Sequence, residues 1–370
     1  MQTIIRGGGS VKKITGILNS FGHKRCLLVC DSAFDFLGVK ELLYKAELHF
    51  VRFSDFTSNP VYEDVVKGVE ILRKENSEVI VAIGGGSAID VAKCIKLFSK
   101  QPHSESYLRE DWQDSDIPLI AVPTTAGTGS ESTKFAVIYK DGIKQSINHK
   151  SIIPNFAILD STLLKTLPIY QKKCTLLDAL SQGIESWWSR KSTVESRAYS
   201  KKSVELIVKN YKAYISGDSA AAKKIMEASN LAGRAINIAE TTAPHAMSYK
   251  MTSLYNLPHG HTVALGLPHV FAYMLTHKDL CVDPRGEDHI TAIFIDIANV
   301  LGQKDPYEAV ALLKEMLKEL RITPPQISKD EMKILCNSVN PIRLKNNPIR
   351  LSPEAIYYLY TQIGEITNDS

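Results

Sequence analysis

Short apolar runs rich in β-branched residues alternate, through the first half of the chain, with stretches whose apolar residues recur every three or four positions. The runs RCLLVC (25–30), ELHFVRF (47–53), SEVIVAI (77–83), PLIAVP (118–123), FAVIY (135–139) and FAILD (156–160) read as strands, RCLLVC and SEVIVAI as buried ones. Between them, Phe36 to Tyr44 fits a helix, and Tyr62 to Lys74 fits an amphipathic one carrying Val65, Val66, Val69, Ile71 and Leu72. Ala88, Val91, Ala92, Ile95 and Leu97 begin a third, directly after three glycines. Strand–helix alternation of this kind predicts an α/β fold: a Rossmann-like, doubly wound sheet that binds ligands at the carboxyl ends of its strands.

From about residue 166 the rhythm is helical only. Leu176, Leu177, Leu180, Ile184 and Trp187 form one stripe, and Val204, Leu206, Ile207 and Tyr211 begin another. Further stripes run from Ile225 to Ile238, Ala309 to Leu320 and Pro353 to Ile363. An all-helical second domain is expected over 166–370, after a first domain over 1–165, with the boundary at the TLP of 166–168.

The strand–turn–helix IGGGSAIDVAK, Ile83 to Lys93, is the first candidate for chemistry. Glycines let a backbone approach a ligand closely, and the following helix offers unpaired N–H groups at its positive end, so a phosphate fits there. An ordinary tight turn between strand and helix is the plainer alternative. TTAGTGSES (124–132), at the end of another strand, can wrap a cofactor with backbone and hydroxyl donors. Asp31, ending the first strand, either takes ribose hydroxyls and repels an extra phosphate or caps a helix. Ser58-Asn59-Pro60 reads as a helix-entry turn.

In the helical half, Asp178 and Gln182 stand four apart and share a helix face. His245 comes later, before the turn-like LPHGH of 257–261. A carboxylate, an amide oxygen and imidazoles make a mixed N/O set that suits Fe²⁺ or Zn²⁺. A lone histidine among apolar residues is more often a hydrogen-bonded core residue, and spacing alone does not prove a ligand set.

Composition narrows the classes. A chain of 370 residues suits two domains, and its charge of +4 is spread rather than clustered, which argues against nucleic acid. No segment approaches a membrane span, and the N-terminus has no adequate apolar signal core. The six cysteines show no finger or CxxC spacing, and Cys26 and Cys30 lie too far apart along one strand to pair, so reduced thiols and a cytoplasmic protein are expected.

GGGSAIDVAK, PTTAGTGSE, PNFAILD, LPIY, DALSQGIES and NLPHGH, in this order over nearly the whole length, resemble the iron-containing (group III) alcohol dehydrogenases, more distantly dehydroquinate synthase and glycerol dehydrogenases. The resemblance implies NAD(H)- or NADP(H)-dependent interconversion of an alcohol and an aldehyde in a cleft between a Rossmann-like and a helical domain. By position it puts Gly85, Gly86, Ser87 and Asp90 at the pyrophosphate, and Thr124, Thr125, Thr128 and Lys144 along the cofactor. It also puts Asp31 where NAD is favoured over NADP. The metal ligands fall on Asp178, Gln182, His245 and His259, with Gln182 replacing the usual histidine by a weaker amide oxygen or a water-mediated contact. Tyr249 stands where many relatives carry a histidine near the nicotinamide, and His261 is the candidate proton relay.

A narrower resemblance lies in DALSQGIESWWS, TTAPHAMSYKMTSLYNLPHGH and VNPIRLKNNPIRLS, which look like the phosphonoacetaldehyde reductase branch. It implies reduction of phosphonoacetaldehyde to 2-hydroxyethylphosphonate and a cationic pocket, for which Lys134, Lys250, Arg343 and Lys345 are candidates, with Asn346 and Asn347 as amide donors. The family resemblance also implies a homodimer or larger assembly. The rival readings are a general short-chain alcohol or diol dehydrogenase, a dehydroquinate-synthase-like lyase that recycles its NAD, and a non-catalytic nucleotide-binding protein.

Overall fold

The computed structural model describes residues 2–22, 25–44, 49–102, 106–108 and 111–366. Contacts divide the chain into two compact units, one of 1–168 with 216–233 and one of 169–215 with 234–370.

The first unit holds strands β1 (Thr3–Arg6), β2 (Cys26–Cys30), β3 (Phe50–Phe53), β4 (Val79–Gly84), β5 (Leu119–Pro123), β6 (Phe135–Lys140), β7 (Ile143–Asn148) and β8 (Phe156–Leu159). Helices α1 (Ile14–Ser20), α2 (Val39–Tyr44), α3 (Tyr62–Lys74) and α4 (Gly86–Ser99) alternate with them. Six strands form an all-parallel sheet in the order β1-β8-β5-β4-β2-β3. Every residue of β2, β4 and β5 is buried, because alternate residues feed two cores. Leu27, Val29, Ile80, Ala82, Leu119 and Ala121 meet α3 and α4. Leu28, Val79, Val81, Ile83, Ile120 and Val122 meet α1 and α2. The chain leaves β2 toward β3 and then returns to lay β4 on β2's other side. That reversal opens the crevice in which such sheets bind ligands, between the turns after β2 and β4.

Several elements differ from the sequence reading. The helix expected over Phe36–Tyr44 is a 3₁₀ turn over Ser32–Phe36, an extended Leu37 and a short α2, because Asp31 caps the turn from outside. FAVIY pairs antiparallel with β7 as a separate hairpin, not in the main sheet. The turn residues Asp141 and Gly142 take φ of 52° and 72°, the left-handed pair that suits a two-residue hairpin. The strand read over 47–53 is seen from Phe50; 47–48 lie outside the described residues. Thr3–Arg6, unread in the sequence, pairs with β8 as an edge strand.

The second unit is built on α5 (Ile169–Trp188) and α6 (Val194–Ile215). α7 (Ser219–Ala239) belongs to it from Arg234 onward. Then follow α8 (Ala243–Leu254), α9 (His259–Thr276), α10 (Glu287–Val300), α11 (Pro306–Glu319), α12 (Lys329–Ser338), α13 (Pro341–Leu344) and α14 (Pro353–Ile363). Two-residue strands β9 (Gln326–Ile327) and β10 (Glu365–Ile366) pair with each other. The turn-like LPHGH is in fact the entry to α9, a helix that the internal Pro268 disguises in the sequence. No helix among the described residues is long and apolar enough to cross a membrane, and none of the six cysteines is joined in a disulfide.

Candidate functional site

In the second unit, α5 presents Asp178, Gln182 and Glu185 on successive turns of one face, all buried. α8 brings His245 to that face, and the first residue of α9 brings His259. Gly260 lets α9 come so close: a Cβ there would lie 2.0 Å from the Cys174 carbonyl oxygen and 2.9 Å from the Asp178 Cβ. One ligand atom each from Asp178, His245 and His259 falls within 4.8 Å of the others.

The hydrogen bonding shows what this cluster lacks. Glu185, fully buried, accepts from the Thr242 N–H at 2.8 Å and the Thr242 hydroxyl at 3.0 Å, and lies 2.5 Å from His245 Nδ1. It thus serves as the cap of α8, whose own Thr242 provides none. A carboxylate accepts only, so Nδ1 carries the hydrogen and the Nε2 lone pair faces Asp178 Oδ1 at 3.4 Å. Asp178 Oδ1 and Gln182 Oε1 are buried without a hydrogen-bond partner. Unpartnered oxygens beside an imidazole lone pair are what a divalent cation satisfies, so these residues fit a metal. Without one, a proton takes the cation's place. Burial draws the His245 pKa down, but Glu185 and Asp178 outweigh it and raise it to about 9. Burial likewise pushes the Asp178 carboxyl up, but the two histidines and Gln182 hold it below its ordinary value.

His259 is covered on one side by Tyr249, whose ring lies parallel to it at 5.6 Å between centroids. The Arg343 guanidinium lies 4.8 Å from the Tyr249 ring centre, and its Nη1 donates to the Tyr249 hydroxyl at 3.0 Å. Cation, phenol and imidazole therefore form one stack. Lys250, the next residue of α8, is turned about 100° away from Tyr249 around the helix. Lys134 belongs to the first unit, where its ammonium sits 5.5 Å from the Phe135 ring centre.

Three expectations change. His261 has both ring nitrogens engaged. Nε2 donates to the Thr323 carbonyl at 2.8 Å, so Nδ1 must accept from the Tyr170 hydroxyl at 2.9 Å. Both nitrogens are thus committed to protein partners, and burial lowers the ring's pKa. Asn346 donates to the carbonyls of Ala239 and Thr241, at 2.9 and 3.0 Å, and Asn347 to that of Ile349 at 2.7 Å. Both amides hold backbone and are not ligand donors.

Asp90, in the first unit, is the third. Its carboxylate is half-buried, and its two oxygens accept from the Ser130 hydroxyl at 2.5 Å and the Val137 N–H at 2.9 Å, so both are engaged by protein groups. Gly84 to Ser87 do lie at the sheet's reversal. No side chain caps the first turn of α4, which leaves its N–H groups available to an anion. Asp31 caps its own 3₁₀ turn through Ala33 N and also accepts from Gly85 N at 3.3 Å, across the crevice. Thr125 and Thr128 stand beside the glycines, at 3.4 Å and 2.7 Å from where a Cβ on Gly85 or Gly86 would be. The Thr124 N–H donates to the Gly84 carbonyl at 2.9 Å. The Ser87 hydroxyl donates to the Ser58 carbonyl at 2.5 Å. Burial raises the Asp90 pKa, and the charges of Lys93 and of Lys144, on β7, act against that rise.

Sequence reasoning missed Glu185 and gave no role to Lys93. Glu185 lies seven residues after Asp178, on the face already singled out; Lys93 is a lysine inside an apolar helix stripe. Both signals were present as charged residues at buried spacing.

Residues 2–161 match the family description "iron-containing alcohol dehydrogenase", and residues 173–364 match the C-terminal description of the same family. Phosphonoacetaldehyde reductase of Streptomyces viridochromogenes is 32% identical over 310 residues, 80% of this chain and 78% of the relative. Alcohol dehydrogenase 4 of Saccharomyces cerevisiae is 28% identical over 93% of this chain and 94% of its own. The solved structure of sulfoacetaldehyde reductase from Bifidobacterium kashiwanohense in complex with NAD⁺ is 27% identical. It superposes with a TM-score of 0.84 over 98% of this chain and 96% of that one. The chain belongs to the iron-containing alcohol dehydrogenase family, enzymes that interconvert alcohols and aldehydes with NAD(H) and a metal.

Proposed function

We propose that the chain reduces phosphonoacetaldehyde to 2-hydroxyethylphosphonate, consuming NAD(P)H and a proton, as a cytoplasmic homodimer or larger assembly. The observation that carries this reading is the Arg343–Tyr249–His259 stack, which holds a guanidinium one ring away from a metal-ligand candidate. A planar guanidinium pairs bidentately with phosphonate oxygens, and burying a strongly acidic head group requires such a partner.

Asp178, His245 and His259 would hold the metal, with Gln182 Oε1 as the fourth donor. Bound there, a divalent metal supplies Lewis acidity at the carbonyl oxygen, and the nicotinamide supplies the hydride. Glu185 keeps His245 in the tautomer that presents Nε2. Tyr249 holds the guanidinium in place, so the aldehyde's charged end is fixed while its carbonyl end faces the ligand set. The glycine turn and Thr125 and Thr128 would carry the pyrophosphate, and Asp31 the ribose hydroxyls.

The test is a panel of C2–C4 aldehydes, with and without a phosphonate or sulfonate, against NADH and NADPH after loading with Fe²⁺ or Zn²⁺. Arg343→Ala is expected to raise KM for phosphonoacetaldehyde by about tenfold or more and to leave neutral aldehydes nearly unchanged. Equal turnover of neutral and phosphonate substrates by the wild type would make the chain a general alcohol dehydrogenase instead. Net NADH consumption separates either from a lyase that recycles its cofactor. Sedimentation equilibrium tests the assembly, and a monomer at working concentration overturns that part.

A further inference from the structure

Lys93 is a lysine with no exposed surface, on the helix that begins at the glycine turn. Its ammonium donates to the Ser130 hydroxyl at 2.9 Å, the Thr133 hydroxyl at 3.0 Å and the Phe135 carbonyl at 2.7 Å. Three acceptors use all three of its N–H groups. Asp90 stands three residues earlier on the same helix and takes the hydrogen of that same Ser130 hydroxyl. Ser130 is thereby fixed in position and orientation by both charges, and its N–H in turn donates to the Thr128 hydroxyl oxygen at 3.2 Å.

The far side of the loop is held as firmly. The Asn230 amide on α7 donates to Glu131 at 2.9 Å and to the Ser132 hydroxyl at 2.6 Å. Gly129, at φ 59°, meets Gly233 so closely that a Cβ on Gly233 would lie 2.4 Å from the Gly129 carbonyl oxygen. Burying the Lys93 ammonium this deeply is unfavourable in itself, and a hydrophobic residue of similar volume would pack there without that cost. What the charges add is a directional grip on one loop.

We infer that Lys93, together with Asp90, is a positioning residue for the dinucleotide: the pair clamps Ser130, and through it Thr128, against the glycine turn, and so sets cofactor affinity. This rests on the cofactor site proposed above. Affinity and chemistry are separable here, because the hydrogen bonds described for both residues lie within the first unit.

The experiment measures NADH and NADPH dissociation constants by fluorescence on the full-length protein, with Zn²⁺ affinity by chelator competition alongside. In Lys93→Met, the dissociation constant and KM for the preferred cofactor are expected to rise about tenfold or more, as for a lost charged hydrogen bond. The kcat at saturation and the Zn²⁺ affinity are expected to change far less. Should the unpaired Asp90 prevent folding, Asp90→Asn/Lys93→Met removes both charges and is expected to recover thermal stability while cofactor affinity stays low. Native cofactor affinity in either folded variant overturns the inference. A wild type that binds neither dinucleotide overturns the cofactor site itself, and the inference with it.

Discussion

Glu185→Gln changes one atom and tests the logic of the metal-ligand cluster. The carboxylate accepts from every partner shown around it: the Thr242 N–H, the Thr242 hydroxyl, the His245 N–H and His245 Nδ1–H. A glutamine of the same shape must turn its NH₂ toward one side. Turned toward Thr242, it sets a donor against the N–H that begins α8. Turned toward His245, it forces the ring to put its hydrogen on Nε2, in the space between Asp178 Oδ1 and the other ligand atoms. The second arrangement removes the lone pair a metal needs. Outer partners of this kind are worth about 10- to 100-fold in metal affinity, roughly 1.4–2.7 kcal/mol. Zn²⁺ and Fe²⁺ dissociation constants from chelator competition, with thermal denaturation of the metal-free protein as a control, check this directly. Metal affinity within about twofold of wild type in a folded Glu185→Gln protein would refute the argument that tautomer control by Glu185 governs the cluster.

Other expected outcomes follow from the same contacts. Because the His245 pKa in the metal-free protein is raised from 6.5 to about 9, its protonation stabilises the fold fully below pH 6.5. That contribution, roughly 3 kcal/mol, is lost as pH rises toward 9. Metal-free protein should therefore lose melting temperature over this window relative to the metal-loaded form, and parallel profiles would contradict it. Gln182→His replaces an amide oxygen by an imidazole and should tighten Zn²⁺ binding about tenfold in chelator competition; weaker binding would mean that position 182 does not ligate. Gly260→Ala puts a methyl 2.0 Å from the Cys174 carbonyl oxygen and should cost about 1–3 kcal/mol in urea denaturation, with loss of metal affinity as α9 backs away from α5.

The sequence by itself determined the sheet, the main helices and the motif residues, because these follow from local periodicity. Strands buried on both faces have to read as continuous apolar runs, and β2, β4 and β5 do. The glycines at 84–86 mark a place where only a missing Cβ lets Asp31, Ala88 and Thr128 approach. Asp178 and Gln182 at helical spacing had to share a face, and two histidines far along the chain completed a plausible donor set. Hairpin β6–β7 was legible too, in Asp141-Gly142 between two strand-like runs, but the strand-like FAVIY fitted the parallel pattern as well.

Tertiary structure decided which polar atoms remained free. His261, Asp90 and Asn346 have the right chemistry for catalysis or binding, yet each is engaged by carbonyls, hydroxyls or N–H groups from distant segments. Arg343 and Lys250 look alike in the sequence, but only contact across α8 and α13 puts Arg343 on Tyr249. Glu185 and Lys93 acquire their roles the same way, through partners 60 and 37 residues away. Periodicity fixes which face of an element is buried. Which donor meets which acceptor there depends on ångström-scale packing between elements, and that information is not local in the chain.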